Sequence, residues 1–552
     1  MAAAISDPSS FFGFQPGSER NIARWDKIVD YFYLLDQKSD RIRVINLGPS
    51  TEENPFLLAI ITSAENQANL DEIREINAQI ADPRGLSDAE LDQLIKKGKV
   101  VVCQSMSLHA SEISATQMAP ELAYDLVTGE DETTERILDN TIFLMVPCFN
   151  PDGQMMVTDW YNEYVGTEYE GAAMPWLYHK YCGHDNNRDA FMLNLVESQY
   201  MAKIMFQDWH PQIFQDHHEM WVYGPRLSIS PYCEPLHPHG DPLIWRELNW
   251  YGAHMAYKLE EAGHQGVITG AIFPAWSHMG FHWLGNYHNI ASMLTESATA
   301  RLATPVYVHP HQLGGEDGST LHAIPHYKAQ TNFPNPWPGG WWRLRDAVEY
   351  ILTSSHATLG FAAKYKERVL YNRYQAGQDT IRRYTSDPPY AYFLPQQQRD
   401  PVAPVELLRR LAFNGIRVHQ LQSSVNIEGN TYPPGTWVIP MNQEFAELAR
   451  NVLEVQSYPD LRSSEEAPPL QPYDVAGWTL PYQFDVEVIE VTTPLSDDVR
   501  RAMKPGTSST ERLPGISIPW WPCVVPSPSR RLMNLFLPDT STRTPYIHRA
   551  SS

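Results

Sequence analysis

Cysteine is scarce. Five residues, Cys103, Cys148, Cys182, Cys233 and Cys523, are spread over 552 positions. They are odd in number, far apart and form no Cys-x-x-Cys, so the chain has neither a zinc ribbon nor a dithiol redox motif. Cys103 and Cys148 lie in or beside apolar runs and read as small core hydrophobes. No apolar run reaches the ~18 residues of a membrane span. Positive charge is also short: Lys plus Arg is 42 against 65 Asp plus Glu, a formal net charge of −23. That balance argues against a nucleic-acid binder and against a basic membrane-surface protein. The start, MAAAISDPSSFFGF, has no basic stretch followed by an apolar one. No secretory signal is visible there, and the compartment stays open.

Hydrophobic residues make up 43% and charged residues 19%, a globular composition. Proline is abundant, 44 of 552. With 16 Trp and 28 Tyr, this is the composition of a loop-rich enzyme with aromatic-lined surfaces. Length alone suggests roughly two to four domains.

Strand-like and helix-like segments alternate through the first 330 residues. RIRVINLG and FLLAIIT follow a helix-like stretch at Trp25. KVVVCQS (99–105) and TIFLMVP (141–147) are apolar on both faces, the mark of buried strands. A helical pattern at 111–127 lies between them, and others at 192–209 and 242–262 precede PQIFQD and GVITGAI. NIASMLTE (289–296) is again strand-like. The alternation predicts an α/β domain with a largely parallel sheet. Residues 1–24 read as an N-terminal arm and 25–330 as the main domain. The Pro/Gly/Trp-rich stretch 331–344 reads as a connector. A strand–helix–strand rhythm predicts a smaller α/β domain over 345–490, and 491–552 reads as a tail of low order. YDVAGWTLPYQFDVEV (473–488) looks like the middle of a fold, so the second domain is expected to be incomplete, through truncation or a shifted reading frame.

Four short motifs can carry chemistry. His109 and Glu112 are three apart just beyond a buried strand, and an imidazole with a carboxylate is a good zinc pair. Asp216-His217-His218-Glu219 follows the apolar run IFQ. Asn187-Arg188 offers a planar guanidinium fork suited to a carboxylate, with an amide donor beside it. Glu296 ends the run IASML, and a carboxylate there is costly without a partner or a task. Each motif also has a plain structural reading: a helix cap, a polar strand end, a surface loop.

Their order resembles the zinc carboxypeptidase family, the group containing pancreatic carboxypeptidase A. The chain has His109-Ala-Ser-Glu112, Asn150-Pro-Asp-Gly153, Asn187-Arg188, His218 and Glu296 in the family's sequence, over about residues 25–320. It looks closest to a large bacterial branch in which the third ligand lies in Asp-x-His-x-Met, matching Asp216 to Met220. The resemblance implies a carboxypeptidase-like mixed sheet flanked by helices. It implies one Zn2+ held by His109, Glu112 and His218, with His217 as the other candidate ligand. Glu296 would be the general base, and Asn187 and Arg188 would bind the substrate's terminal carboxylate. Two His and one Glu leave a fourth position open, the pattern of a catalytic zinc. Asp216 is a candidate to orient a ligand imidazole. Asn150 to Gly153 reads as a tight turn.

Three departures stand out. No Arg lies between Gly153 and Asn187, where the family commonly places one that helps hold the oxyanion; Lys180 and Arg226 are the candidates to replace it. Glu219 follows His218, where the family typically has Ser. The mobile Tyr of pancreatic members has no clear match, with Tyr287 and Trp276 in the right interval. His278, His282 and His288 read as cleft lining without a second metal. The second domain weakly resembles the flavodoxin-like domain often appended in this branch. It has no Walker loop and no cysteine. The expected activity is a metallocarboxypeptidase acting on peptides with a free C-terminal carboxylate, with no nucleic-acid partner. A same-fold deacylase of N-acyl amino acids and a non-catalytic peptide binder are the alternatives.

Overall fold

Eight strands form the central sheet: β1 (Ile42–Pro49), β2 (Pro55–Ile61), β3 (Val100–Met106), β4 (Thr141–Val146), β5 (Ile213–Met220), β6 (Leu227–Ile229), β7 (Val267–Thr269) and β8 (Ala291–Ala298). In the computed structural model, which describes residues 5–504 except 184, 315–326, 463 and 476–478, their order is β1-β2-β4-β3-β5-β8-β6-β7. The centre, β4-β3-β5-β8, is parallel; β1, β2 and β6 join it antiparallel to their inner neighbours. The alternating pattern predicts the α/β class and the largely parallel centre, and the resemblance implies the mixed character that the antiparallel outer strands give it.

The two-sided apolar runs explain why the centre lies where it does. Along β3, Val100 and Val102 face one core, and Val101 and Cys103 the other. β4 alternates the same way, with Phe143 and Met145 opposite Ile142 and Leu144. A period of two with both faces apolar requires a layer on each side. On one side lie the helices Trp25–Lys38, Ser114–Thr128, Pro242–Glu261 and Leu344–Lys364. In the first, Ile28, Phe32 and Leu35 recur at helical spacing and are fully buried. Each such side chain contributes about 1.5–3 kcal/mol by leaving water.

The other face is covered by Leu70 and Ile73 at the start of helix Leu70–Ala81, by the segment around Met201–Trp209 and by residues of the C-terminal region, among them Leu407, Leu411, Trp437 and Phe445. That region has its own four-stranded sheet. Numbering on from the main sheet in chain order, β9 (Ala391–Leu394), β10 (His419–Gln420), β11 (Trp437–Pro440) and β12 (Ile489–Val491) are its strands. Every pairing in it is antiparallel. A flavodoxin-like domain would pair its strands in parallel. The strand–helix–strand rhythm is present, with helix Ala403–Phe413 between β9 and β10. β11 returns between those two strands, so they never pair directly.

Helix Leu344–Lys364, at the start of the expected second domain, shares the core of the main sheet through Ala347, Val348 and Ile351. In the arm, helix Pro8–Phe12 sets Phe11 and Phe12 with ring centroids 4.9 and 5.5 Å from that of Tyr31. Most of the tail, 505–552, lies outside the described residues. Among the described residues, no helix is long and apolar enough to cross a membrane.

Candidate metal centre

The C-terminal ends of β3, β5 and β8 meet at one place, the position where open α/β sheets usually carry their ligands. β3 stops at Met106, and Ser107 takes a left-handed φ of 50°. Its hydroxyl donates to the Glu112 carbonyl at 2.6 Å and accepts from Thr116 N at 3.2 Å. Leu108 and Ala110 are buried, so the loop is fixed at both of its apolar residues. His109 and Glu112, partly buried, then point to a common spot: His109 Nδ1 is 2.7 Å from Glu112 Oε1.

β5 supplies the third group. The strand continues through Asp216-His217-His218-Glu219 because these residues pair in register with Leu294 to Ser297 of β8. Neighbouring side chains therefore face opposite sides. His218 Nδ1 lies 2.9 Å from Glu112 Oε2 and 3.2 Å from His109 Nδ1. His217 instead makes contacts of 2.7 Å with Thr295 Oγ1 and 3.2 Å with Ser355 Oγ, away from the cluster. Glu219 also turns away: its Oε1 accepts from Ser114 N at the start of helix Ser114–Thr128. The donor atoms of His109, Glu112 and His218 all lie within 4.8 Å of one another.

Both imidazoles are held from behind by carboxylates. Asp216 Oδ2 lies 2.9 Å from His218 Nε2, and Ser105 Oγ donates to Asp216 Oδ1 at 2.5 Å. Asp185 Oδ1 lies 3.1 Å from His109 Nε2 and accepts from Asn187 N at 3.1 Å. These acceptors favour a proton on each Nε2 and leave each Nδ1 lone pair facing the cluster. The field there is negative. Burial opposes charge on His109, yet Glu112 and Asp185 push its pKa up to about 9. Burial likewise opposes charge on Glu112, yet His109 and His218 hold it down at about 2. A field that favours a cation among two nitrogens and a carboxylate suits a divalent metal, and a set of two His and one Glu suits zinc. The residues fit the group.

Glu296 is buried on β8 directly opposite His218 in the strand register. Burial pushes its carboxyl pKa up to about 8, against the pull of His218 and with the help of Glu112. Asn187 and Arg188 sit on a short 3-10 turn, Asn186–Arg188, held by the bond from Asn186 Nδ2 to Leu108 O at 2.8 Å. Asn187 Nδ2 is 3.4 Å from His218 Nε2. The Arg188 fork meets Asp185 at 3.0 Å and Asp474 at 2.6 Å.

The stretch 150–153 is a helix start rather than a tight turn. Asn150 Oδ1 accepts from Gly153 N at 2.9 Å, capping helix Pro151–Tyr164 with Pro at its first position. Asp152 accepts from Asn54 Nδ2 and Glu52 N at 2.7 and 2.8 Å. A Cβ on Gly153 would lie 2.4 Å from Ala110 Cβ, so only glycine lets this helix touch the His109 loop.

The three oxyanion or cleft candidates have partners elsewhere. Arg226 is fully buried between Trp337 and Trp342, at 4.3 and 4.7 Å, and donates to Gly224 O at 2.7 Å. Lys180 pairs with Glu52 at 2.9 Å at the surface. Tyr287 donates to Ser277 O at 2.7 Å. The sequence reading had no role for Asp185 or Asp474 and took His282 as cleft lining. His282 Nδ1 lies 3.5 Å from Asp216 Oδ2, and its ring centroid 5.8 Å from that of His218. Asp185 could have been found from its place two residues before Asn187. Nothing local marks Asp474, 286 residues from Arg188.

Fold and site together define an α/β protein that gathers a His–Glu–His metal set and a buried carboxylate at its strand ends. Residues 28–204, the stretch that carries His109, Glu112, Asn187 and Arg188, match the family model for zinc carboxypeptidases. His218 and Glu296 lie beyond it. No curated protein matches the chain. Among solved structures, the chain is similar to a metallo-carboxypeptidase from Burkholderia cenocepacia, at 12% identity and a TM-score of 0.37 over 62% of this chain and 69% of that one. It is also similar to a metallo-carboxypeptidase from Pseudomonas aeruginosa in complex with (2-guanidinoethylmercapto)succinic acid, at 13%, 0.38, 62% and 68%. A carboxypeptidase A from Helicoverpa armigera gives 14%, 0.37, 62% and 74%.

Proposed function

We propose that the protein is a zinc-dependent metallocarboxypeptidase, with one zinc per chain, that removes C-terminal residues from peptides bearing a free terminal carboxylate. The convergence of His109, Glu112 and His218 beside Glu296 and the Asn187–Arg188 turn supports this reading. His109, Glu112 and His218 would hold the zinc, which would supply Lewis-acid chemistry for the scissile carbonyl and an acidified water. Asp185 and Asp216 keep the two imidazoles oriented and their Nε2 protons in place. Glu296 takes a proton from water and passes it to the leaving amine. Arg188 and Asn187 bind the terminal carboxylate, which fixes the distance from the chain end at which the bond is cut. A buried carboxylate at Glu296 has no use in a mere peptide binder, which favours turnover over binding alone.

The test is a paired measurement on wild type and Glu296→Gln. Zinc per chain is determined first, then release of C-terminal residues from a mixed peptide pool. About one zinc in both proteins, with release by wild type and a loss of roughly 100-fold or more in Glu296→Gln, is the expected result. Zinc in both without release by either overturns the peptidase reading, and N-acyl amino acids become the next substrates to try. No zinc in either overturns the site itself.

A further inference from the structure

A cavity of about 290 Å³ lies where the main body meets the second sheet. Its lining comes from separate elements. Arg84 follows helix Leu70–Ala81, and Tyr384 stands near the end of helix Lys366–Ser386. Tyr390 precedes β9, Arg417 precedes β10, and His419 lies on β10. Arg500 comes from helix Asp497–Ala502. No residue of the metal centre lines this cavity. Ligand pockets run from roughly 300 to 1,000 Å³, so this one suits a small ligand.

The chain carries 42 basic against 65 acidic residues, yet three arginines meet here. Among the described residues, no carboxylate lines the cavity. The two acids that hold Arg84 and Arg417 are outside the lining. Asp82 accepts from Arg84 Nε and Nη2 at 2.7 and 2.8 Å, and from Arg417 Nη2 at 2.7 Å. Glu444 accepts from Arg417 Nη2 at 2.7 Å and Nε at 3.2 Å. Both guanidinium groups are therefore gripped along the edge of Nε and Nη2. Among the described residues, no hydrogen bond engages Nη1 of either one. Arg500 uses Nε alone, on Leu495 O at 3.1 Å. His419 donates its Nδ1 proton to Lys504 O at 2.7 Å. Burial, and beyond it the charges of Arg417 and Arg84, hold this imidazole below its ordinary pKa against the pull of the Lys504 carbonyl.

We infer that this cavity binds a phosphate group, free or as a small ester. A guanidinium is planar and pairs well with phosphate oxygens. Asp82 and Glu444 fix two of the three arginines in place, and Nη1 of each is left to donate. The terminal nitrogens of Arg500 complete the set. Donors from three arginines on three elements match the three acceptor oxygens of a phosphate group better than the two of a carboxylate. The two acids offset two of the three positive charges, so the affinity is modest and falls as salt rises. A bound phosphate joins Arg500 of the last helix to Arg84 of the main body, and it stabilises the fold by mass action. The site stands apart from the peptidase reading and does not depend on it.

The test uses the full zinc-loaded chain in phosphate-free buffer of low ionic strength. Calorimetry measures binding of inorganic phosphate, phenyl phosphate and acetate to wild type, Arg84→Gln, Arg500→Gln and Arg188→Gln. Wild type is expected to bind phosphate with a Kd of about 1 mM or below. Arg84→Gln and Arg500→Gln should each weaken it about tenfold, the scale of one charged hydrogen bond. Arg188→Gln should keep it, which separates the cavity from the metal centre. Acetate should bind at least about tenfold more weakly than phosphate. Arg500 is exposed and makes one bond to a carbonyl, so its variant should fold and release peptide residues at the wild-type rate. Binding of both phosphates admits esters, binding of inorganic phosphate alone limits the site to the free ion, and either outcome supports the inference. It is overturned if wild type shows no binding at about 10 mM phosphate. It is equally overturned if Arg84→Gln and Arg500→Gln bind as wild type does, if only Arg188→Gln loses binding, or if acetate binds as tightly as phosphate.

Discussion

The two walls of the site are built by different means. In the wall of His109, Glu112, His218 and Glu296, the last two are set by backbone register and the first two by the short loop that leaves β3. β3 pairs with β5 and β5 with β8, so His218 stands opposite Glu296 wherever the sheet forms. Its second layer, Asp216, sits two residues from His218 on the same strand, where the pleat puts both side chains on one face. The wall of Asn187, Arg188, Asp185 and Asp474 hangs on a 3-10 turn and on a segment almost three hundred positions away. The first wall is rigid because the sheet is. The second is balanced by charge, with Arg188 between Asp185 and Asp474. Under the proposed function, chemistry that needs fixed geometry sits at the strand ends, and recognition sits on a turn and a distant segment.

The largest effect should come from the strand wall. His218→Ala removes one of the three proposed ligands and leaves Asp216 buried beside a hole. Bound zinc and peptide release should both be lost, release by roughly 1000-fold or more, since every later step needs the metal set. The neighbouring His217→Gln, on the opposite face of the same strand, should keep its zinc. Metal analysis of the pair decides this, and zinc retained in His218→Ala would break the comparison. Next is the loop wall. Arg188→Lys replaces a planar fork by a point charge, and KM for free-acid peptides should rise about 10- to 100-fold. Zinc content should not change, because Arg188 reaches His109 only through Asp185. Asp216→Asn comes third. It should weaken zinc about 10- to 100-fold, read by competition with a chelator, while leaving the KM of the zinc-saturated enzyme within a few-fold of wild type. A KM change as large as that of Arg188→Lys would mean that the two walls are not separable.

Most of the strand wall was legible because its signals are local. A buried strand is a run of apolar residues, and a polar residue at or just past its end draws notice, but each of His109, His218 and Glu296 also had a plain structural reading, and it was their order, shared with the zinc carboxypeptidase family, that joined them. The parallel centre of the sheet was legible for the same reason, from the two-sided apolar runs of β3 and β4, while its mixed edges were implied only by the family resemblance. The role of Gly153 was hidden, because a close approach to Ala110 is a fact about two segments 43 residues apart in sequence and in contact only once folded. Asn-Pro-Asp-Gly fits both a tight turn and a capped helix start, and the residues after it decide. Arg226 looked available from sequence. The aromatic cage of Trp337 and Trp342 and the carbonyl of Gly224 claim it instead, and no local pattern announces a partner 111 positions away. The antiparallel second sheet was hidden because a strand–helix–strand rhythm does not say whether a later strand will come back between the two. Asp474 was the least visible of all: an isolated Asp in a Pro-rich stretch becomes meaningful only through Arg188.

The smallest of the expected effects joins stability to the strand wall. Gly153→Ala forces a methyl to within 2.4 Å of Ala110 Cβ, so helix Pro151–Tyr164 or the His109 loop must shift. Overpacking of this kind costs about 1–3 kcal/mol, and urea unfolding should show a lower midpoint at an unchanged slope. The direction of the shift is informative. If the helix yields, Asn150 and Asp152 lose their bonds to Gly153, Asn54 and Glu52, and the loss appears in stability alone. If the loop yields, His109 moves from Glu112, and zinc affinity falls with stability. The loop is fixed on its other side by the buried Leu108 and by the Ser107 bonds to Glu112 O and Thr116 N. The helix should therefore give way, with zinc affinity reduced less than tenfold at 1 kcal/mol or more of lost stability. A larger loss of zinc would mean that the His109 loop takes its position from this glycine rather than from the end of β3.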